Sequence, residues 1–211
     1  MVQYENRRGG RFGACRRGLL TLTLSLIALA GYGLMIPIGP VLSTASSVAM
    51  AQTMASVEIG GPAPDIGFTA TDGTERRLSE FAGRPVMLWF YASWCPTCQV
   101  GTVAVAEKID ELKQAGVQII QLQLYDNLGY PGPSIEDFAK RYAGSVTPSS
   151  NWLWGQASLE ASFTYDPQGY PDIYFLIDRD GIVRAIEPAP HVTMNKILAF
   201  ARNVQVSKGG D

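Results

Sequence analysis

Between Arg84 and Ser93 the chain reads RPVMLWFYAS, and every position from Val86 to Ala92 is apolar. A strand with one wet face alternates polar and apolar side chains; a continuous run of this length has no wet face at all. It must lie inside a sheet covered by helices on both sides, so the chain should alternate strands with helices. The sequence after it agrees. QVGTVAVAEKIDELKQAG carries Ala, Ile and Leu at helical spacing and stops at Gly116. VQIIQLQLY reads as a second strand, and PSIEDFAKRYAG as a helix with Ser134 and Asp137 in capping-box register. Strand, helix and strand in that order imply parallel pairing through a right-handed crossover. Residues 145–165, with Trp152 and Trp154, show no clear period, so irregular structure is expected there, with a short helix near ASLEASF and the two tryptophans as core or loop cover. DIYFLID and IVRAIE flank Arg179-Asp180-Gly181 as a hairpin, and TMNKILAFARNV closes the chain as a helix. Upstream, PDIGFTATDGTERRLSEF alternates around Asp72-Gly73, as an N-terminal β-hairpin at a domain edge would.

The 211 residues, 46% hydrophobic and 17% charged, suit one globular domain plus an appendage. The appendage is N-terminal. No charged side chain occurs between Gly18 and Val57, and GLLTLTLSLIALAGYGLMIPIGPVL supplies the roughly 20 apolar residues of a membrane-spanning helix. Arg7, Arg8, Arg11, Arg16 and Arg17 precede it, which by the positive-inside rule keeps them cytoplasmic and sends the rest of the chain out. The expected organisation is a basic cytoplasmic tail (1–17), a transmembrane anchor or signal segment (18–42), a flexible tether (43–60) and a folded domain (61–211). An uncleaved anchor is favoured over a signal peptide cut after Ala51, because the apolar run is long and lies far from that site. Cleavage there would release a secreted protein. Either way the domain works outside the cytoplasm, at a periplasmic or extracellular face. Five of the 17 basic and one of the 19 acidic side chains lie before Gln52, which leaves an acidic body without a basic stripe and argues against nucleic acid. A monomer is expected.

Directly after the buried strand come Cys95-Pro96-Thr97-Cys98. A zinc site needs four protein ligands or three plus water, and the other soft ligands are Cys15, across the membrane, and His191. No metal and no cofactor is expected. A structural disulfide over two intervening residues would close too small a loop to restrict the unfolded chain much. Redox chemistry uses the position instead. Cys95 falls where a strand passes into a helix, over free N–H groups and the positive end of the helix dipole, which lowers a thiol's pKa. Cys98 lies on the same helical face, close enough to attack a mixed disulfide formed by Cys95. Pro96 suits the first turn, where its missing N–H costs nothing.

With WFYASWCPTC, the hairpin lead-in APDIGFTATDGTERRLSEFAGRPV and the segment GYPDIYFLIDRDGIVR in order, the chain resembles the thioredoxin superfamily from about Gly61 to Val204. Within it, the chain is similar to the TlpA-like, membrane-tethered thiol-disulfide oxidoreductases, including those of cytochrome c maturation. The resemblance implies a thioredoxin-like α/β fold, a central mixed sheet flanked by helices. It also implies catalysis by Cys95 and Cys98, and partners that are protein thiol or disulfide substrates and an upstream membrane or soluble thiol redox donor. Pro171 is implied to be a cis-proline that lies against the dithiol and presents backbone to substrate peptides. Trp94 and Thr97 flank the dithiol, Tyr170 narrows the substrate groove, and the acid after the proline, Asp172, lies within electrostatic range of both sulfurs.

Two positions depart from the family. Trp89 stands where many thioredoxins have a buried acid, and Gly101 where the tethered branch usually has glutamate. Glu107 falls on the opposite helical face. Which group handles the proton of Cys98 is left open, and with it the direction of electron flow. A thiol peroxidase would need Pro-x-x-x-Thr-x-x-Cys, but Leu88 and Tyr91 occupy the proline positions. The favoured function is reduction of exported protein thiols such as those of apocytochrome c. The alternatives are an oxidising, disulfide-forming protein and a copper-delivery protein. The copper reading would enlist His191, which reads better as an exposed or capping residue.

Overall fold

The computed structural model describes residues 56–146, 149 and 151–206, so the apolar segment expected at 18–42 lies outside the described residues. Among those described, no helix is long and apolar enough to cross a membrane. The strands are β1 (Gly67–Ala70), β2 (Glu75–Arg77), β3 (Val86–Tyr91), β4 (Gln118–Gln123), β5 (Trp152–Ala157), β6 (Ile173–Ile177) and β7 (Val183–Pro188). The helices are α1 (Pro96–Ala106), α2 (Ile109–Gln114), α3 (Ile135–Tyr142), α4 (Leu159–Tyr165) and α5 (Pro190–Val206). The strands form a seven-stranded sheet in the order β2-β1-β5-β4-β3-β6-β7.

The run that organised the sequence reading is β3, an interior strand buried at all of its positions. It pairs in parallel with β4, as the crossover argument requires, and antiparallel with β6. Its side chains alternate between two cores. Met87, Trp89 and Tyr91 enter a layer with Val105, Leu112, Phe138, Ile197 and Phe200 from α1, α2, α3 and α5. Val86, Leu88 and Phe90 enter the other, with Phe68, Leu78, Ala161, Tyr165 and Phe175. There the Phe90 ring stacks on Tyr165 at 5.5 Å, and Phe175 stands edge-on to both.

Three expectations are corrected. Residues 152–157 are not irregular: β5 sits between β1 and β4, antiparallel to the first and parallel to the second. Its signal was obscured because Trp152, Trp154 and Gly155 are all buried, which erases the alternation, and Gly155 interrupts the apolar run. The long helix after Cys98 breaks at Lys108, whose φ of −109° and ψ of 8° leave the helical well. No glycine or proline marks the break; the redirected α2 places Ile109 and Leu112 in the core with Phe200 and Val204. Finally, the closing helix expected from Thr193 is extended: α5 has a first turn from Pro190 and kinks at Thr193, whose φ is −104° and ψ 17°, before the expected helix runs on. At the domain's other end, Gly60 N–H and Gly61 C=O bond to Val183 at 2.8 and 3.0 Å, which ties the start of the domain to the last hairpin.

Candidate active site

Cys95 is the N-cap of α1, and Pro96 occupies the first turn. Its Sγ accepts the backbone N–H of Cys98 at 3.3 Å and lies 3.2 Å from the Thr97 hydroxyl. Both thiols are free. They differ sharply in environment: Cys95 keeps 4% of its surface exposed and Cys98 none. The Cys98 thiol, bonded to the Cys95 sulfur, lowers the pKa of Cys95 to about 6, helped by Thr97 and the helix-start N–H groups and opposed by burial. Burial holds Cys98 well above the usual thiol range, and its bond to Cys95 and the charge of Asp172 add to this. The environment thus favours the thiolate at Cys95, which keeps a little exposure, and the protonated thiol at Cys98. That pair can attack an external disulfide and then close on itself.

Asp172 is 2% exposed, and burial raises its carboxyl to about 6. Its Oδ1 accepts the Trp89 indole N–H at 3.2 Å; its Oδ2 is buried without a hydrogen-bond partner. The indole fits because residue 101 is glycine. A Cβ there would lie 3.1 Å from the Trp89 ring and 3.3 Å from Pro190. The two positions that departed from the family pattern are therefore one spatial unit, and it ends on the carboxylate.

The peptide bond before Pro171 is trans, as are all those among the described residues, which corrects the expected cis-proline. The chain turns instead at Asp172, with φ of 77°. Its backbone N–H donates to Phe90 C=O at 3.0 Å, and its C=O accepts the Ala189 N–H at 2.8 Å. The proline is half-buried, and the neighbouring side chain that faces the dithiol is the aspartate's. Tyr170 is 66% exposed, and its backbone N–H donates to Asp166 Oδ1 at 2.9 Å. His191 is half-buried in the first turn of α5, with its Nδ1 lacking a partner. Among the described residues no three His, Cys, Asp or Glu side chains gather as a metal-binding group.

Sequence reasoning missed the support for Trp94. Its indole N–H donates to Asn127 C=O at 2.9 Å, and its ring meets Tyr130 at 5.2 Å. Asn127 Oδ1 also accepts the Ser93 backbone N–H at 2.9 Å. Asp126, Asn127 and Leu128 form a left-handed turn, with φ of 49°, 50° and 61°. Three such residues in a row are uncommon outside glycine. The available signal was Asp126-Asn127 followed by Gly129 and Pro131-Gly132-Pro133, a cluster of turn residues. Gly132 packs so closely that a Cβ would lie 2.3 Å from Ser93 Oγ.

The site's geometry agrees with comparisons to known proteins. Residues 58–199 match the Redoxin family model. Thiol-disulfide oxidoreductase ResA of Geobacillus kaustophilus is 36% identical over 131 residues, 62% of this chain and 70% of that protein. Peroxiredoxin Bcp of Escherichia coli is 29% identical over 143 residues, 63% of this chain and 86% of that one. A Chlorobium tepidum protein assigned as thiol:disulfide interchange protein DsbE superposes with a TM-score of 0.52 at 25% identity, over 69% of this chain and 99% of its own. The chain therefore belongs to the Redoxin family, and within the thioredoxin superfamily it is a TlpA/ResA-like protein-disulfide oxidoreductase.

Proposed function

We propose that the domain works outside the cytoplasm as a reductant of exported protein thiols, apocytochrome c among them. Residues 1–17 are its cytoplasmic tail, 18–42 its membrane anchor and 43–60 its tether. Cys95 is the nucleophile. It attacks a substrate disulfide, the substrate's first sulfur leaves as a thiolate, and a mixed disulfide remains on Cys95. Cys98 then attacks the Cys95 sulfur, forms the internal disulfide and releases the second substrate thiol. A redox donor in or near the membrane returns the pair to the dithiol. Trp94, Pro96 and Thr97 shape the mouth of the site. Tyr170 and Pro171 border the path of the substrate chain.

The observation that carries this reading is the inequality of the two sulfurs at the start of α1, one favoured as the thiolate and one held protonated in the core. The reductant direction has support from degree. A Cys95 pKa of about 6 lies nearer to the value of about 7 typical of thioredoxin than to the value of about 3.5 of the strong oxidant DsbA. The Asp172 carboxylate works the same way through Cys95, because its negative charge opposes the Cys95 thiolate and so favours the disulfide product.

The test is the reduction potential of a soluble domain beginning near Ser56, equilibrated against glutathione. A value close to about −270 mV is expected, and one near about −120 mV would make the protein an oxidant. Turnover on a disulfide peptide of Cys-x-x-Cys-His form, the haem-attachment pattern, should exceed turnover on the same peptide with a scrambled spacing. For the anchor, full-length protein is expected in the membrane fraction, and recovery of a mature form beginning at Gln52 would overturn it.

A further inference from the structure

We propose that Trp89 is a positioning residue for proton transfer: seated in the space that Gly101 leaves, its indole N–H holds the Asp172 carboxylate as the acceptor of the Cys98 proton. This deepens the reading of Cys95 and Cys98 as an attacking and a resolving thiol and rests on it.

A protonated thiol in the core cannot resolve a mixed disulfide. Cys98 is fully buried, so its proton must leave through a neighbouring group. Asp172 meets the requirements. It is buried, its charge bears on Cys98, and one of its oxygens has no other hydrogen-bond partner. An unpaired buried carboxylate oxygen is costly, and the backbone around it is over-determined: two main-chain hydrogen bonds fix a left-handed aspartate between β3 and the start of α5. Strain held in place in this way is a feature of functional sites. The Trp89 indole donates to the carboxylate at 3.2 Å, and the Thr97 hydroxyl also favours its charged form. A bond to the charged form favours ionisation and keeps the group ready to accept a proton near neutrality. A methyl group at 101 would press on the indole at 3.1 Å and push it by a few tenths of an ångström.

The step balances as follows. The Cys98 proton passes to Asp172, and the Cys98 sulfur attacks the Cys95 sulfur of the mixed disulfide. The Cys95–substrate S–S bond breaks, and the Cys95–Cys98 bond forms. The substrate sulfur leaves with the electron pair and is protonated by solvent. The dithiol is oxidised and the substrate disulfide reduced. Asp172 gives its proton up to water when the site opens.

The ionisable groups of the neighbouring elements are Cys95 and Cys98 at the start of α1, Tyr91 on β3, Tyr174 on β6, Glu187 on β7 and His191 on α5; of these, Cys95, Cys98 and Tyr174 interact electrostatically with the carboxylate. Burial keeps both phenols protonated. The Tyr174 hydroxyl donates to Thr193 and Glu187 pairs with Lys196. His191, half-buried in the first turn of α5 with its Nδ1 lacking a partner, needs its own control.

The experiment isolates the resolving step. Cys95 is loaded with thionitrobenzoate, and release of the coloured thiol, which only attack by Cys98 produces, is followed by stopped flow across pH. No physiological substrate is involved, so the result stands whether the protein proves a reductant or an oxidant. Wild type should show a rise with an inflection at or below about pH 6, because burial raises the carboxyl but the Cys95 charge that adds to this is gone in the mixed disulfide. Asp172→Asn should lose that inflection and resolve at least about tenfold more slowly at neutral pH. Asp172→Glu should restore part of the rate. Trp89→Phe should keep the inflection but move it upward by about half a unit to one unit, and Gly101→Ala should do the same by displacing the indole. His191→Asn should leave it in place. If Asp172 acted through charge alone, its removal would ease ionisation of Cys98 and speed release; a faster Asp172→Asn variant therefore overturns the proposal. A Trp89→Phe profile that superimposes on wild type, or an inflection that disappears with His191→Asn, overturns it as well. Should Trp89→Phe fold poorly, Gly101→Ala decides the role of the indole, and a Gly101→Ala profile that superimposes on wild type overturns the proposal.

Discussion

The two layers on either side of β3 are built from adjacent residues of one strand, yet they follow different rules. The layer of Phe90, Tyr165 and Phe175 is apolar rings in contact, and the phenol within it is satisfied by a 2.7 Å bond to Pro64 C=O. The layer of Trp89 and Tyr91 holds both thiols and, buried without partners, the Tyr91 hydroxyl, the Trp154 N–H and one oxygen of Asp172. Native cores leave few polar groups unpaired. Three of them lie in the layer where sulfur chemistry occurs, while Asp166 Oδ2 and Arg179 Nε lie elsewhere; the sulfur layer also carries a polar chain from Trp152 through Gln121 and Thr102 to the Cys98 carbonyl. One layer holds the domain together, and the other supports the reaction at some cost to stability.

That division can be broken by mutation. The largest effect should come from the thiols. Cys95→Ser abolishes disulfide exchange, while Cys98→Ser traps a mixed disulfide visible as a mass adduct on Cys95; faster alkylation of Cys98 than of Cys95 at neutral pH would reverse the assignment. Next, Phe90→Ala in the apolar layer should lower unfolding free energy by about 3–5 kcal/mol in a denaturant titration. The midpoint of Cys95 ionisation should stay near 6, whereas a shift of a full unit would show that the layers are not separable. The smallest effect is a pH dependence confined to the sulfur layer. Cys95 has a folded pKa below its unfolded value, so its contribution to the stability of the reduced domain is absent below about pH 6 and accumulates as pH rises to the unfolded thiol range. Asp172 has the opposite sign: its folded pKa is raised, so the carboxyl contributes stability at low pH that is lost as pH climbs from the ordinary carboxylate range to about 6. Reduced protein should therefore be least stable near pH 6. The oxidised form lacks the Cys95 term. Between pH 6 and 9 the reduced form should gain on it by on the order of 1–2 kcal/mol, after allowance for solvent screening at the helix mouth. Parallel stability curves for the two redox states would refute the assignment.

The elements legible in the sequence were those whose physics is local. Cys95 at a strand-to-helix junction, Pro96 in the first turn, the hairpins at Asp72-Gly73 and Asp180-Gly181, and parallel pairing of β3 with β4 all follow from spacing and residue type. Trp89 and Gly101 could be noticed singly as departures, but that one fills the space left by the other is a contact across twelve positions of chain, which no period reports. The left-handed turn at Asn127 depends on what Ser93 and Trp94 require of it, so its composition suggests a turn but not a purpose. β5 was hidden because burial on both faces removes the alternation that identifies a strand. The cis isomer expected at Pro171 came from the family resemblance; in this chain the bond is trans and the turn falls one residue later, at Asp172.

The sheet's outermost strands have a bearing on how partners are met. β2 is three residues of Glu-Arg-Arg, with Arg76 and Arg77 turned onto Glu80 and Asp65 of their own chain. On the opposite side, β7 ends in Pro188, and its start is already paired by Gly60 and Gly61. Short, charged, proline-ended and covered strands are poor templates for a further strand. An enzyme that handles protein disulfides meets chains with exposed, sticky segments, and a bare sheet edge would recruit them into aggregates. This domain offers such chains little backbone to pair with, so a captured polypeptide is held by one covalent bond to sulfur and leaves when that bond is exchanged.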